Sequence, residues 1–326
     1  KQEIAMKKLV KLISITMGSI LLFGGPALAE TVALATLPPG AITNVQGQVM
    51  ARVVQKNTEL KIRVVPIGGG IAQLSAVNAR QAEFALWDPN DMTVALNGTH
   101  HFKGKKKPNL LVAARLMTFP IGVFVRKNSS IKSIADLKGK RFPAGWTASP
   151  NSGAQAEALL ATAGLKFSDI KPVATANLIR AAEDFKAGKT DAMTFAVGAP
   201  KVAEVNAAVG GIRFLSIGTD SKSIARLKSV RPDYFYLTVK PNPRFAGIVG
   251  PTNVMGIDLV LIAGTHVADK TVYNFIKALY GNKMPLAKGH PSFFGFQPKA
   301  MAKQFAVAKY HPGAIAFFKE IGIWKK

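Results

Sequence analysis

The stretch KIRVVPIGGGIAQLSAVNARQAEFALWDPND, residues 61–91, decides the fold. Lys61–Val65 reads as a strand, Gly68-Gly69-Gly70 as a tight loop, and Ile71 to Arg80 as a helix. Glu83–Trp87 is a second strand, ending in the loop Asp88-Pro89-Asn90-Asp91. Strand, glycine turn, helix and strand in this order form a βα unit, and repetition of the unit predicts an α/β fold with a largely parallel sheet.

The same unit extends in both directions. Upstream, Thr31–Thr36 is a short apolar strand, followed by the turn Pro38-Pro39-Gly40 and a helix with Val49, Met50, Val53 and Val54 on one face. Downstream, a second block begins at the strand Ile121–Val125. Ser133 to Asp136 has capping-box spacing before a brief helix that Gly139 ends. A strand starting at Lys140, the loop Gly145–Gly153 and the helix Ala154–Ala163 follow. Next come a helix over Asn177–Ala187 and the strand Ala192–Val197, which ends at Gly198-Ala199-Pro200. Between Tyr234 and Gly256 the chain is rich in Pro and Gly, a composition suited to a crossover. Gly256–Ala263 is then a buried-type strand, with helices at Thr271–Tyr280 and Gly313–Phe318. The expected organisation is a first lobe of residues 30–119 plus 245–326 and a second of 120–244. Hinges are expected near Phe119-Pro120 and around Tyr236–Gly247.

The N-terminal residues read as a targeting segment. Lys7, Lys8 and Lys11 precede an uncharged run from Leu12, and Ala27-Leu28-Ala29 is a small-x-small cleavage site before Glu30. Residues 1–29 are therefore expected to be a cleaved signal peptide, which places the rest in the periplasm. The alternative is a retained anchor, since Leu12 to Ala29 is an uncharged run of 18 residues.

Composition excludes several functions. With no cysteine among 326 residues there is no disulfide, thiolate nucleophile or thiolate metal site. The 43 Lys plus Arg against 18 Asp plus Glu give +25. Removing residues 1–29, with four Lys and one Glu, leaves 39 basic and 17 acidic residues, +22. The basic residues are scattered, and the run Lys103–Lys107 lacks the interleaved aromatics of a nucleic-acid site, so it reads as a solvated loop. The five histidines have no HExxH spacing, and no G-x-S-x-G elbow or P-loop is present. His100-His101 also reads as solvated. Neither enzyme chemistry, a metal nor a cofactor is expected.

What remains is a set of loops at the C-terminal ends of strands, where open α/β sheets bind ligands. They are Pro39–Asn44, Ile67–Gly70, Trp87–Asn90, Gly145–Ala154 and Val197–Pro200. Glycines there permit close approach, and the helix starts that follow offer N–H groups to a carboxylate or phosphate.

Read together, Leu34–Asn44, Val64–Gly70, Glu83–Asp91, Val125–Phe142, Ser152–Leu165, Gly188–Pro200 and Tyr310–Lys319 resemble, in order and spacing, the TAXI family of extracytoplasmic solute receptors that serve TRAP transporters. The clearest motifs are Ile134 to Arg141 (IADLKGKR), which many periplasmic binding proteins share, and His311 to Ile315 (HPGAI). The resemblance implies a type II-like periplasmic-binding fold, two doubly wound sheets joined by a hinge, that closes on a carboxylate or amino acid and delivers it to a TRAP membrane permease. A receptor docking on a signalling partner is the alternative. The ligand loops carried over are Gly40, Gly68, Gly69, Ser152, Gly153, Gly198 and Pro200, with Gly70 and Asn90 beside them. This chain departs from the family at Thr43 and Asn44, where tyrosines are usual, at Asp88 in place of glutamine, at Ala154 and at Arg115. Arg115 and the helix start at Ser152 are candidates for a ligand carboxylate, and Asp88 for an ammonium or hydroxyl group, unless Asp88 and Arg115 pair with each other or with solvent. Trp87 and Trp146 are candidates for stacking, or for partial core.

Overall fold

Strands β1 (Thr31–Thr36) and β2 (Lys61–Pro66) pair in parallel, and β1 also pairs in parallel with β3 (Phe84–Trp87). This is the βαβ arrangement expected from residues 61–91. The connection from β1 to β2 is α1 (Ile42–Asn57), and that from β2 to β3 is α2 (Gly70–Asn78). The chain steps outward from β1 to β2 and then back past β1 to β3. Right-handed crossovers therefore put α1 and α2 on opposite faces, burying the sheet on both sides. The burial follows: Val32, Leu34 and Ala35 of β1 and all of β3 are inaccessible. The computed structural model describes residues 31–305 and 307–325. The targeting segment expected over residues 1–29 lies outside them. Among the described residues there are ten α-helices and ten strands, and no helix is long and apolar enough to cross a membrane.

Two long strands carry the chain through the middle of the molecule. They are β4 (Leu110–Arg126) and β10 (Thr252–Gly264), paired antiparallel from Leu110↔Gly264 to Ile121↔Met255. At one end, β10 lies beside β3 through Val260↔Trp87 to Ala263↔Phe84. At the other, β4 is flanked by β7 (Ala192–Ala196) and β8 (Ile212–Leu215), and β10 by β9 (Phe235–Val239). The two sheets expected from the sequence are thus the two ends of one eight-stranded pairing network. A separate parallel pair, β5 (Arg141–Ala144) with β6 (Lys171–Ala174), completes the second end.

Helices connect these strands. They are α3 (Pro89–Asn97), α4 (Pro150–Thr162), α5 (Leu178–Lys186), α6 (Pro200–Ala208), α7 (Ser221–Val230), α8 (Asp269–Gly281), α9 (Lys283–Gly289) and α10 (Pro312–Glu320). Four begin with proline, whose missing N–H costs nothing at the first helical position.

The sequence places only Ile121–Val125 of β4 in a strand, with a hinge expected at Phe119-Pro120. The proline is tolerated because it stands at a changeover. From Ile121 onward β4 gains β7 as a neighbour, while before it the segment ending at Tyr310 takes that side. The Pro120 carbonyl still accepts from Val197 N at 3.0 Å. Tyr234 to Gly256, expected as a crossover, instead contains β9 and the start of β10, and the crossings are made within β4 and β10 themselves. Near the end of their ladder Pro120 stands opposite Gly256, where a Cβ would lie 2.6 Å from the Phe235 ring.

Candidate functional site

The C-terminal ends of β1, β2 and β3 carry three of the loops singled out from the sequence. After β1, Thr43 Oγ1 accepts from Leu37 N at 3.2 Å and Asn44 Nδ2 donates to Thr36 Oγ1 at 3.0 Å. Both side chains brace the turn whose apex, Gly40, has φ 93°. After β2, Gly70 packs on the Trp87 indole so closely that a Cβ would fall 2.0 Å from the ring, so a larger residue there would displace Trp87. Trp87 Nε1 donates to Asp91 at 2.7 Å. Asp88, 2% exposed, caps α3 by accepting from Asp91 N at 2.9 Å, and Asn90 beside it is also buried.

The facing loops come from β5, β6 and β7. Ala148 N donates to Ala176 O at 3.0 Å, tying the loop after β5 to the one after β6. The Ser149 and Ser152 hydroxyls lie 2.8 Å apart at the start of α4. Gly198, with φ 78°, turns the chain from β7 into α6 at Pro200.

The two loop sets touch. A Cβ on Gly69 would be 2.6 Å from the Ala148 carbonyl oxygen, and Lys201 N donates to Gly40 O at 3.0 Å. Between them lie narrow gaps, one of about 20 Å³ bordered by Ala41, Trp87, Phe119, Gln155 and Thr194, the other of about 10 Å³ bordered by Gly68, Ser149 and Leu178. No Lys, Arg, Asp or Glu borders either. The arrangement is that of a cleft with its walls closed.

Several buried polar atoms around this junction have no protein partner. They are both amide atoms of Gln73, one turn after Gly69, Asp88 Oδ2, Asn151 Nδ2, two residues after Ser149, and Thr194 Oγ1. Each such group costs about 1–3 kcal/mol unless water or a bound molecule satisfies it.

The electrostatics are acidic on the α3 side. Burial pushes the Asp88 carboxyl well above the usual carboxylate range, and the neighbouring Asp91 adds to it. Burial raises Asp91 as well, against the Trp87 hydrogen bond that favours its charge. Tyr234, whose phenol is pushed well up by burial and then by these two carboxylates, and Arg231, 8% exposed, complete the group. Asp91, Arg231, Tyr234, Gln73, Gln155 and Thr194 were not singled out from the sequence. None sits in a glycine turn, and only the fold brings residues 73, 91, 155, 194 and 231 to one junction.

Two sets of expected site residues lie elsewhere. Arg115 is on β4, where Nη2 meets Asp258 at 2.9 Å and Thr118 Oγ1 at 3.2 Å, with Lys303 on the other Asp258 oxygen. Asp258, rather than Asp88, is its partner, and the position borders neither gap. Trp146, Gly153 and Ala154 border a wider recess on the other flank of α4, together with His100, His101 and Arg231. Among the described residues no group of three or more His, Asp or Glu is placed to hold a metal ion.

The architecture matches that of several solved proteins. Over 91% of this chain and 94% of the other, it is similar to the alkanesulfonate-binding protein SsuA from Xanthomonas axonopodis pv. citri bound to MOPS, at 17% identity and a TM-score of 0.50. PhnD1 from Prochlorococcus marinus (MIT 9301), in complex with methylphosphonate, is similar over 90% of this chain and 99% of its own, at 14% identity and a TM-score of 0.54. A periplasmic transporter matches over 90% and 93%, at 14% identity and a TM-score of 0.56. At these identities the likeness establishes the periplasmic-binding fold. Residues 35–322, from β1 to the end of α10, match a family model over nearly the whole described chain, and the protein belongs to the NMT1-like family.

Proposed function

We propose that this protein is an extracytoplasmic solute receptor, which captures a small amino acid in the cleft by closure and presents it to a membrane permease. The carrying observation is the ring of partnerless buried polar atoms, Gln73, Asp88 Oδ2, Asn151 and Thr194, at the junction of the two loop sets. The ligand carboxylate is received by N–H groups at the start of α4, near Ser152, and the ammonium by Asp88. A ligand ammonium would bring the raised Asp88 pKa back down and pair with its carboxylate, which a simple anion would not do. Arg115 has no part in this reading, since Asp258 already holds it.

Closure proceeds by bending of β4 and β10 where Pro120 faces Gly256, with residues 30–119 and 245–326 moving against 120–244. The resemblance of the sequence to TAXI receptors supports a permease of the ion-gradient-driven TRAP class, and the targeting segment expected over residues 1–29 supports a periplasmic location. No chemistry is performed on the solute. A thermal-shift screen of amino acids, each beside the acid lacking its amino group, tests the reading. A true ligand at one hundred times its Kd adds about 2.7 kcal/mol of stability. Equal shifts from an amino acid and its deaminated counterpart, or no shift from any small solute, would refute it.

A further inference from the structure

The start of α6 is a candidate ligand contact in the sequence, because the first N–H groups of a helix are free to receive an anion. In the structure those groups are taken by protein. Pro200, at the first helical position, has no N–H to offer. Lys201 N donates to Gly40 O at 3.0 Å, while Val202 N and Ala203 N both donate to Ala199 O, at 3.0 and 3.3 Å. The one donor of this helix start that leaves its own turn therefore goes to the opposite wall of the cleft.

Side chains reinforce the contact. The stem of Lys201 lies against Gly40, where a Cβ would fall 3.3 Å from Cε, and its ammonium is fixed on the α6 side by Glu204 and by Glu183 at 3.1 Å. On the other side of the turn, the Gly198 carbonyl accepts from the ring of His290, which follows α9. Ser292 holds that ring: its N donates to His290 Nδ1 at 3.3 Å, and its hydroxyl lies 2.9 Å from the same atom. Gln46 of α1 donates in turn to Ser292 Oγ at 2.9 Å. With Nδ1 accepting, the ring proton stands on Nε2, the nitrogen left to face Gly198. Donation therefore runs in one direction, from Gln46 through Ser292 and His290 to Gly198. The ring of Phe245 closes the turn from below, 3.1 Å from where a Gly198 Cβ would stand.

We propose that the turn Gly198–Lys201 is a latch between the two walls rather than a ligand contact, with His290 as the residue that positions it. The proposal rests on the closing motion described above and adds that closure needs no solute. Gly40 and His290 grip the start of α6 with protein groups alone, so the closed form predominates in the empty receptor. Gly198 and Pro200 then serve closing, and selection of the solute falls to the loops after β2, β3 and β5.

The full chain has no cysteine, so two introduced thiols carry spin labels without background. Lys56→Cys on α1 and Ala207→Cys on α6, both at exposed positions, report the separation of the walls by double electron–electron resonance in dialysed, solute-free protein. The short-distance population is expected to exceed the long one. His290→Ala lowers their ratio about fivefold, the worth of one ordinary hydrogen bond. His290→Gln, whose amide nitrogen still donates, restores most of it. Hydrogen exchange at the Lys201 amide gives a second reading: slowed at least tenfold in the solute-free wild type, and about fivefold faster in His290→Ala than in the wild type. A mostly open empty receptor, an unprotected Lys201 amide, equal losses in the Ala and Gln variants, or unchanged distances together with unchanged Lys201 exchange in His290→Ala would each overturn the proposal. Neither reading uses a solute, so their failure leaves the solute receptor standing, and a thermal-shift screen without a hit leaves the latch standing.

Discussion

Replacing Thr194 by valine tests the cleft most directly. Thr194 is on β7, 0% exposed, and borders the larger gap with Trp87 and Gln155, yet its hydroxyl has no protein partner. Valine has the same shape without the oxygen. Removing an unsatisfied buried hydroxyl should relieve about 1–2 kcal/mol in the closed state, so the usual cost of a core substitution is reversed. At about 2–4 °C per kcal/mol, the ligand-free unfolding midpoint rises by about 2–8 °C. The gain falls on the closed conformation, so unliganded Thr194→Val should also be more compact in small-angle scattering than the wild type. The ligand loses its hydrogen bond, and affinity falls about tenfold if the bond is charge-assisted. At a solute concentration one hundred times the wild-type Kd, the stabilisation by ligand then drops from about 2.7 to about 1.4 kcal/mol. Differential scanning fluorimetry with and without the solute reads both effects. A variant that unfolds more than about 1 kcal/mol earlier, or keeps the full ligand shift, refutes the idea that this hydroxyl waits for a ligand.

Three further outcomes are expected. Gly69→Ala has no backbone strain to overcome, since that residue is extended, but its Cβ would lie 2.6 Å from the Ala148 carbonyl and hold the walls apart; solute affinity falls and the radius of gyration rises, and unchanged scattering would rule out closure at this contact. Asp88→Asn keeps the helix cap, because Asn caps as well as Asp. The folded protein holds the Asp88 proton to a higher pH than the unfolded chain does, so the contribution of this group to stability declines as pH rises above about 4, with Asp91 acting in the same direction. The Asn variant should show a flatter stability profile and weaker amino-acid binding, and a slope identical to wild type would exclude Asp88 as its source. Asp258→Ala leaves Arg115, with 12% of its side chain exposed, without its carboxylate and should cost about 3 kcal/mol in denaturant melts while leaving solute affinity unchanged; a selective affinity loss would return Arg115 to the ligand.

The βα units were legible because their signals are local. Thr31–Thr36 and the strands, turn and helix of residues 61–87 depend on apolar periodicity and glycine punctuation, and each is found within two residues of its expected bounds. Asn177 caps α5 as its chemistry predicts. The helix α3 was hidden because Asp88-Pro89-Asn90-Asp91 reads as a loop, although the same residues make an N-cap with proline at the first helical position. The long strand β4 was hidden by Pro120, which is tolerated only because the partner strand changes there. Site residues followed the same rule. Glycines in turns could be named, and Gly40, Gly69 and Gly70 do lie at close approaches. Trp146 and Arg115 failed to join them because their direction depends on α4 and on the partner Asp258, which are remote in sequence.

The positive charge and the cleft divide the work of recognition. The excess of 43 basic over 18 acidic residues creates a field that draws small anions from beyond contact, and it is screened over about 8 Å at physiological ionic strength. None of that charge is delivered to the gaps between the walls. Lys201, whose backbone closes the cleft at Gly40, commits its ammonium to Glu183 and Glu204, and Arg115 is held by Asp258. On the proposed reading, attraction is unselective and selection falls to the junction, where Asp88 keeps an unpartnered oxygen beside Asp91 and Arg231. A dicarboxylate steered to the mouth then meets the Asp88–Asp91 pair, which Arg231 offsets only in part, whereas an amino acid brings its own cation. The same long-range field that raises the encounter rate for both leaves the choice between them to a single buried oxygen.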